Sequence, residues 1–167
     1  MLDVARKEIR SAGKKVQQLA EEDRDAKLLM TIPGMGYYSA LLTKSEMGDV
    51  KRFRSAKQLC AYAGLVPSTH ASGNTCFHRH ITKQGSRWLR WILIEAAIHA
   101  VKRPGVLRRF YFRVERKKGG QIAKVATARK LLEWIYHILK DGRTYQEMEK
   151  ITEYLGRGEP GNSSGSV

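Results

Sequence analysis

The stretch at residues 66–86, VPSTHASGNTCFHRHITKQGS, concentrates side chains that could do chemistry. Its reactive groups are a hydroxyl in a Ser-Gly pair, a thiol and three imidazoles, at Ser72, Cys76, His70, His78 and His80. A serine becomes a nucleophile when a base removes its proton, and thiolate together with imidazole can hold zinc. The stretch is therefore a nucleophile-bearing loop, a metal site or a polar linker between helical segments.

The spacing of these residues argues against zinc. Structural zinc sites usually pair their ligands as Cys-x2-4-Cys and His-x3-5-His, whereas Cys76 is followed by histidines at alternating positions. We therefore expect no metal in this chain. Ser-Gly-Asn is also a common turn sequence, so spacing alone leaves Ser72 open between a nucleophile and a turn residue. A Ser-His-Asp hydrolase is not indicated, because a GxSxG motif is absent.

Positive charge is concentrated in the middle of the chain. The formal net charge is +15 over 167 residues. Residues 51–130 hold nineteen Lys or Arg against two acids, Glu95 and Glu115, a local excess of +17. Such a field attracts polyanions, and contacts to phosphates release bound counterions. Nucleic acid is the predicted partner, and a basic enzyme or a ribosome-like protein is the alternative.

Cysteine usage and hydropathy indicate a cytoplasmic protein. Cys60 and Cys76 are the two cysteines and form no paired CxxC motif, so we expect a reducing compartment and no disulfide framework. We see no signal peptide. The most apolar run, residues 88–101, contains Arg90 and Glu95 and is shorter than the roughly 20 apolar residues that span a bilayer. It predicts a helix with most of its surface buried, and no membrane partner.

The first 27 residues predict a coiled-coil-like helix. Apolar side chains step alternately by three and four residues, at Leu2, Ala5, Ile9, Ala12, Val16 and Leu19. Gly13 weakens this helix by about 1 kcal/mol relative to alanine, so we expect the helix to need a partner.

The sequence IPGMGYYSALL predicts a helix-hairpin-helix, because two apolar helical segments flank a Pro-Gly-x-Gly turn. Gly34 and Gly36 would let the backbone approach a phosphate, and the next helix would present free amides to it. A simple αα-hairpin without a ligand is the alternative. Lys51, Arg52 and Arg54, which follow, favour DNA.

Capping patterns predict further helices. Ser55 with Gln58 forms a capping box, Gly64 is placed as a helix C-cap, and Ser86 can cap a helix that runs to about residue 102. A basic helix then ends at Gly119, and a last helix covers about residues 122–140. We predict an all-α domain over residues 28–145, followed by a tail, 146–167, with a disordered Gly/Ser-rich end.

The order of motifs resembles a known family. The blocks are IPGMGYYSA, RFRSAKQLCAYAGLVP, ASG, HITKQGSRWLR, EAA and VARKLLEWIYHILKDGRTY. In this order they resemble the C-terminal transposase domain of the insertion-sequence 110 family, over residues 28–145. The resemblance implies one part of a DNA recombinase that moves DNA elements under the guidance of a bridge RNA. Its other parts would be a coiled coil and an N-terminal RNase H-like domain with four acidic metal ligands.

The resemblance also implies roles for individual residues. Ser72 corresponds to a nucleophilic serine that attacks a phosphodiester, and such a transesterification needs no ATP because the bond energy is kept in the phosphoserine link. Basic side chains nearby would hold the phosphate: Arg79, Lys83, Arg87 and Arg90. Magnesium would bind the acidic domain, which this chain lacks.

The resemblance finally implies partners. DNA, a guide (bridge) RNA, the missing N-terminal RNase H-like domain and further copies in a homo-oligomer are expected, in the cytoplasm of a prokaryote and associated with its nucleoid. Met1 falls inside what resembles the end of the coiled coil, so we expect a fragment or a truncated reading frame. The alternative is a truncated, non-catalytic remnant that binds nucleic acid.

Overall fold

The computed structural model describes residues 2–72, 75–81 and 85–157, with the side chains of residues 2–66 and 85–156. Within this part the fold is all-α, as predicted, with one short β-hairpin between the fourth and fifth helices. The helices are α1 (Leu2–Glu22), α2 (Arg24–Met30), α3 (Tyr37–Met47), α4 (Ala56–Tyr62), α5 (Arg87–Val101), α6 (Val106–Lys118), α7 (Gly120–Asp141) and α8 (Tyr145–Arg157). A 3-10 turn covers Val50–Arg52, and the hairpin strands are β1 (Pro67–Ser72) and β2 (Thr75–Ile81).

Helix α1 projects from the body of the molecule. Its apolar seam is solvent-exposed, with Leu2 75% and Ile9 70% exposed, whereas Ala20 near its end is buried. The structure forms a helix over Leu2–Glu22, and a separate helix, α2, begins at Arg24 within the predicted 27 residues. Helix α1 packs against α2 and α3. Pairing of the seam as a coiled coil stays a prediction.

An acidic cap joins α2 to α3. Asp23 is the N-cap of α2 and accepts a hydrogen bond of 2.9 Å from the Ala26 amide. Its carboxylate also pairs with the Lys44 ammonium group, which lies 3.4 Å from Asp25. Burial opposes ionisation of Asp23, but the hydrogen bonds from Lys44 and Ala26 outweigh burial and lower the pKa of the carboxyl group.

The long helix α7 forms the centre of the core. It packs against α2, α4, α5, α6 and α8 and buries large side chains such as Leu131, Leu132, Ile135 and Ile138 completely. Gly142, with φ +68°, ends it in the left-handed conformation that a glycine accepts without strain. No helix in the described ranges has the length and apolar character needed to cross a bilayer.

Helix α8 begins where the sequence pattern placed the end of the domain. Tyr145 and Met148 are buried in the core, and Glu149 accepts a hydrogen bond of 3.0 Å from the Val106 amide. That contact caps α6 from another helix, because Gly105 before it has no side chain to do so. The Gly/Ser-rich end, residues 158–167, lies outside the described residues, so its predicted disorder stays a prediction.

Candidate functional site

The segment expected to be an irregular active-site loop contains an antiparallel β-hairpin. Ser72 is the last residue of β1, and its backbone is paired with Thr75. The register continues through Ala71 with Cys76 and His70 with Phe77, and it shifts between Pro67 and Thr69. Two residues, 73 and 74, connect the strands. The Gly-Asn pair at these positions is a sequence signal for a hairpin turn, but few strand-forming residues flank it, and the segment was therefore predicted to be a loop.

Several predicted site residues have side chains that lie outside the described part of the structure. These are Ser72, Arg79, Lys83, Cys76, His70, His78 and His80. Their roles therefore stay predictions. Among the side chains that are described, no group of three or more His, Cys, Asp or Glu is placed to hold a metal ion.

The base of the hairpin rests on the C-terminal end of α4. Gly64, with φ +67°, and Leu65 close that helix, since their amides donate to the carbonyls of Ala61 and Cys60 at 2.9 and 3.0 Å. This is the Schellman arrangement of a helix C-cap, and it confirms Gly64 in the predicted capping position. Leu65 is buried, so the chain enters β1 from a fixed point.

The chain leaves the hairpin across the same helix end. Gly85 lies so close to α4 that a Cβ at this position would be 2.0 Å from the Tyr62 carbonyl oxygen. The Arg90 guanidinium donates to the carbonyls of Ala63 and Gly85, both at 3.3 Å. Arg90 thus bridges the two ends of the hairpin. Its contact with DNA stays a prediction, whereas in this structure its guanidinium stabilises the fold by holding the two ends of the hairpin together.

A serine then starts α5 and ties it to α3. The predicted cap is confirmed, because the Ser86 hydroxyl oxygen accepts a hydrogen bond of 3.0 Å from the Leu89 amide. The same hydroxyl donates to Glu46 Oε2 at 2.5 Å. The Tyr62 hydroxyl donates to the Glu46 carbonyl at 3.1 Å. Elements α3, α4 and α5 therefore meet directly beneath the hairpin.

Several basic residues predicted to contact DNA are exposed to solvent near the base of the hairpin. Arg52 is exposed, and its guanidinium lies 4.6 Å from the ring centroids of both Phe53 and Tyr62, which places it beside the hairpin base. Arg87 is exposed on the first turn of α5. Lys51 and Arg54 are exposed on either side of Arg52 and Phe53. Ser55 is confirmed as the N-cap of α4, since its hydroxyl oxygen accepts from the Gln58 amide at 3.3 Å. The Gln58 side chain accepts from the Arg54 amide at 2.7 Å and not from the Ser55 amide, so the reciprocal bond of the predicted capping box is shifted by one residue.

The Pro-Gly-x-Gly turn lies at the other end of α5. A Cβ at Gly34, which has φ +85°, would be 2.2 Å from His99 Cβ, so this glycine is required for packing of the turn on α5. Gly36 is the N-cap of α3 and faces open space. Ser86 and His99 are separated by thirteen residues, about 20 Å along a helix axis. The two groups of predicted DNA contacts therefore lie at opposite ends of one helix.

The described cysteine is not a nucleophile. Cys60 is fully buried in α4, and burial raises the pKa of its thiol to about 12, with the nearby Glu133 carboxylate adding to the shift. At neutral pH the group is a thiol and packs as a small apolar side chain.

The apolar run of α5 is less buried than its sequence predicts. Trp88 is 54% exposed and Trp91 is 46% exposed, so the prediction of a mostly buried surface is wrong at this end of the helix. The helix packs against α3, α6 and α7 on its other faces, which leaves one stripe for solvent. The two residues were missed as site candidates because tryptophan in an apolar run is more often a core residue.

Comparison with known proteins identifies the family. The family model described as "Transposase IS116/IS110/IS902 family" matches residues 26–112, which are 87 of the 167 residues. The chain belongs to this transposase family. The match runs from α2 into α6 and contains the hairpin, both glycines of the turn and the exposed tryptophans.

Individual proteins that are similar to this transposase-family chain support the same family assignment. It is 33% identical over 136 residues to the transposase for insertion sequence element IS1111A of Coxiella burnetii, covering 78% of this chain and 37% of that protein. It is 26% identical over 149 residues to the insertion element IS116 uncharacterized 44.8 kDa protein of Streptomyces clavuligerus, covering 87% of this chain and 37% of that protein. A pilin gene-inverting protein of Moraxella bovis is 34% identical over 132 residues, covering 76% and 40%. The chain thus spans less than half the length of these curated relatives.

Proposed function

We propose that this transposase-family chain is the DNA-binding, serine-bearing part of a DNA recombinase. The observation that carries the proposal is the position of Ser72 at the closed end of a hairpin whose base is anchored by Gly85, Arg90 and Ser86. A nucleophile must be held in a defined place relative to its target, and a hairpin with an anchored base can present one side chain outside the protein body.

The proposed reaction is a transesterification. The Ser72 oxygen attacks the phosphorus atom of a DNA phosphodiester, an Oγ–P bond forms, and the bond from phosphorus to one bridging DNA oxygen breaks. A base takes the serine proton, and the departing DNA oxygen takes up a proton to become a free hydroxyl group. Reversal by another DNA hydroxyl rejoins the strand and releases the serine.

Positive charge around the hairpin base supports the binding half of the proposal. Arg52 and Arg87 are exposed there, and the predicted contacts Arg79 and Lys83 are close to Arg87 in sequence. Basic helix α6 presents a further set of exposed cations, of which Arg109 is paired with Glu153 at 2.6 Å. Contacts of this kind read the phosphate backbone and not the base sequence.

Selection of a target would therefore come from another component. We propose a bridge RNA for that role, and an acidic RNase H-like domain that carries magnesium as the partner of this chain, within a homo-oligomer. These partners follow from the family resemblance.

The decisive experiment seeks a covalent protein–DNA adduct. The chain is mixed with an acidic domain from a full-length relative, guide RNA, magnesium and end-labelled target DNA, and adducts are separated under denaturing conditions. We expect an adduct with the wild type and with Ser68→Ala, a control on the same strand, and loss of the adduct in Ser72→Ala with DNA binding retained. Equal adduct in wild type and Ser72→Ala would refute the nucleophile assignment.

Binding without any adduct would favour the non-catalytic alternative, in which a remnant holds nucleic acid through its basic surface. Its salt dependence checks the binding claim separately. The logarithm of the affinity should fall linearly with the logarithm of the salt concentration, with a slope of about −0.9 for each phosphate contacted. A flat response would contradict phosphate contacts.

A further inference from the structure

Two exposed tryptophans stand directly beside the base of the hairpin. Trp88 and Trp91 follow Ser86 on the first two turns of α5, and about half of each side chain is open to solvent. Their ring centroids are 6.3 Å apart and the ring planes meet at 84°. Exposed tryptophan is unusual unless a partner covers it, because burying such a ring is strongly favourable.

The surroundings of the pair define the chemistry of that partner. The Arg87 guanidinium lies 5.8 Å from the Trp88 ring, and Arg52 is stacked on Tyr62 at the adjoining end of α4. Glu95, one turn beyond Trp91, is the exposed acid on this stripe. Exposed aromatic rings next to cations on one side bind a ligand that has flat faces and negative charge, which is the combination found in a nucleic-acid strand.

We propose that Trp88 and Trp91 form a stacking platform for unpaired nucleobases of a single-stranded segment. The inference rests on the proposed function, since cutting and exchanging strands exposes unpaired bases near the nucleophile. Paired bases inside a duplex do not offer their faces to a side chain, whereas unpaired bases stack on aromatic rings regardless of sequence. The backbone of the strand would pass on the Arg87 side, away from Glu95.

The geometry suits a role close to the reaction. Strand β1 has six residues, so the hairpin is about 17 Å long from base to closed end at a rise of about 3.3 Å per residue. The tryptophans begin two residues after Ser86. A strand cut at Ser72 would therefore need a few nucleotides to reach the platform, which would hold the freed end in place until it is rejoined.

Intrinsic fluorescence tests the proposal on the full chain. The chain has three tryptophans, and Trp134 is 5% exposed, so a change in emission on binding reports mainly Trp88 and Trp91. The probes are a twelve-nucleotide thymidine strand and a blunt duplex of matched length. We expect the single strand to quench the emission. The single variants Trp88→Ala and Trp91→Ala should each weaken single-strand binding by about 5- to 100-fold. Each should change the duplex affinity by less than a factor of about two.

Two controls keep the outcome clear. Tyr154→Ala removes an aromatic side chain that is 81% exposed on α8 and should leave both affinities unchanged. Trp88→Phe keeps a stacking ring and should retain most of the single-strand affinity. Absence of quenching, or an equal loss of affinity for both probes in the alanine variants, would overturn the platform. Failure of Ser72 to form an adduct would not alter this result, because stacking requires no chemistry.

Discussion

Gly85 lies against the carbonyl oxygen of Tyr62, at a distance that leaves no room for a side chain. A Cβ there would be 2.0 Å from that oxygen, and the φ of +133° is one that other residues rarely adopt. The carbonyl belongs to Tyr62, the last residue of α4, and Gly85 follows β2 of the hairpin that bears Ser72. The hairpin is therefore joined to the helical body by backbone contact, which makes its base sensitive to single substitutions.

Gly85→Ala should destabilise the protein and misplace the hairpin. Strain at one backbone position costs about 1–3 kcal/mol, which lowers the melting temperature by several degrees in a chain of this size. Thermal unfolding followed by circular dichroism measures the effect. Gly13→Ala is the control, because a Cβ there meets nothing within 4 Å, and it should raise helix content. Equal melting temperatures for wild type and Gly85→Ala would contradict the contact.

The two glycines of the Pro-Gly-x-Gly turn should respond differently to substitution by alanine. Gly34→Ala should lower stability, because its Cβ would strike His99. Gly36→Ala should cost less than about 1 kcal/mol, because it meets open space and changes only the N-cap preference. A loss of duplex affinity in Gly36→Ala with an unchanged fold would show that a phosphate approaches this backbone. Retained affinity would restrict the turn to a packing role.

Arg87 and Arg90 separate a DNA contact from a structural one. Arg87→Gln should reduce the magnitude of the salt-dependence slope by about 0.9, the value for one phosphate contact, because the exposed Arg87 guanidinium is available to a phosphate. Arg90→Gln should lower the melting temperature, since it removes donors to the Ala63 and Gly85 carbonyls. Filter binding at several salt concentrations and thermal unfolding, applied to both variants, distinguish these roles. A reduced slope in Arg90→Gln at full stability would reassign it to DNA.

Thr43→Val should stabilise the protein. Thr43 Oγ1 is buried in α3 and has no hydrogen-bond partner among the residues that the structure describes. Replacing a buried, unsatisfied hydroxyl by a methyl group of similar shape removes a desolvation penalty of about 1–3 kcal/mol. Thr127→Val is the matched control, because the Thr127 hydroxyl donates to the Ala123 carbonyl at 2.8 Å and its loss should destabilise. Urea unfolding measures both, and the opposite order of stabilities would contradict this account.

The Asp23–Lys44 ion pair should make stability depend on pH at both extremes. The pKa of Asp23 is lowered from 3.8, so its contribution is present above that value and is lost as pH falls through the lower, folded-state pKa. Burial opposes the charged form of Lys44, but the hydrogen bond and charge of Asp23, together with Asp25, outweigh burial and raise the pKa of Lys44 from 10.5. Its contribution is present below 10.5 and is lost as pH rises further.

Asp23→Asn tests the pair while keeping a good helix cap. The difference in melting temperature between wild type and variant should be constant near neutral pH and disappear as the pH falls below 3.8 and through the lowered, folded-state pKa of Asp23. A difference that persists at acidic pH would assign the effect of Asp23 to capping alone.

Local patterns in the sequence account for the helices, because caps and apolar periodicity act between residues a few positions apart. Ser55, Gly64 and Ser86 begin or end helices where local patterns predict, and the order of motifs indicates the family that the comparison then shows. The hairpin was also locally encoded by a Gly-Asn pair, but too few strand-forming residues flank that pair to outweigh a loop.

Which distant residues contact one another depends on how the helices pack in the folded chain. Gly34 packs on His99, and Gly85 packs on Tyr62. Arg90 donates hydrogen bonds to carbonyls at both ends of the hairpin. The periodicity of the sequence does not predict contacts between such distant residues. The same packing turned one stripe of α5 outward and exposed Trp88 and Trp91. Whether an apolar side chain is buried depends on which elements cover its helix. That is a property of the assembled fold, because each covering helix comes from a different part of the chain.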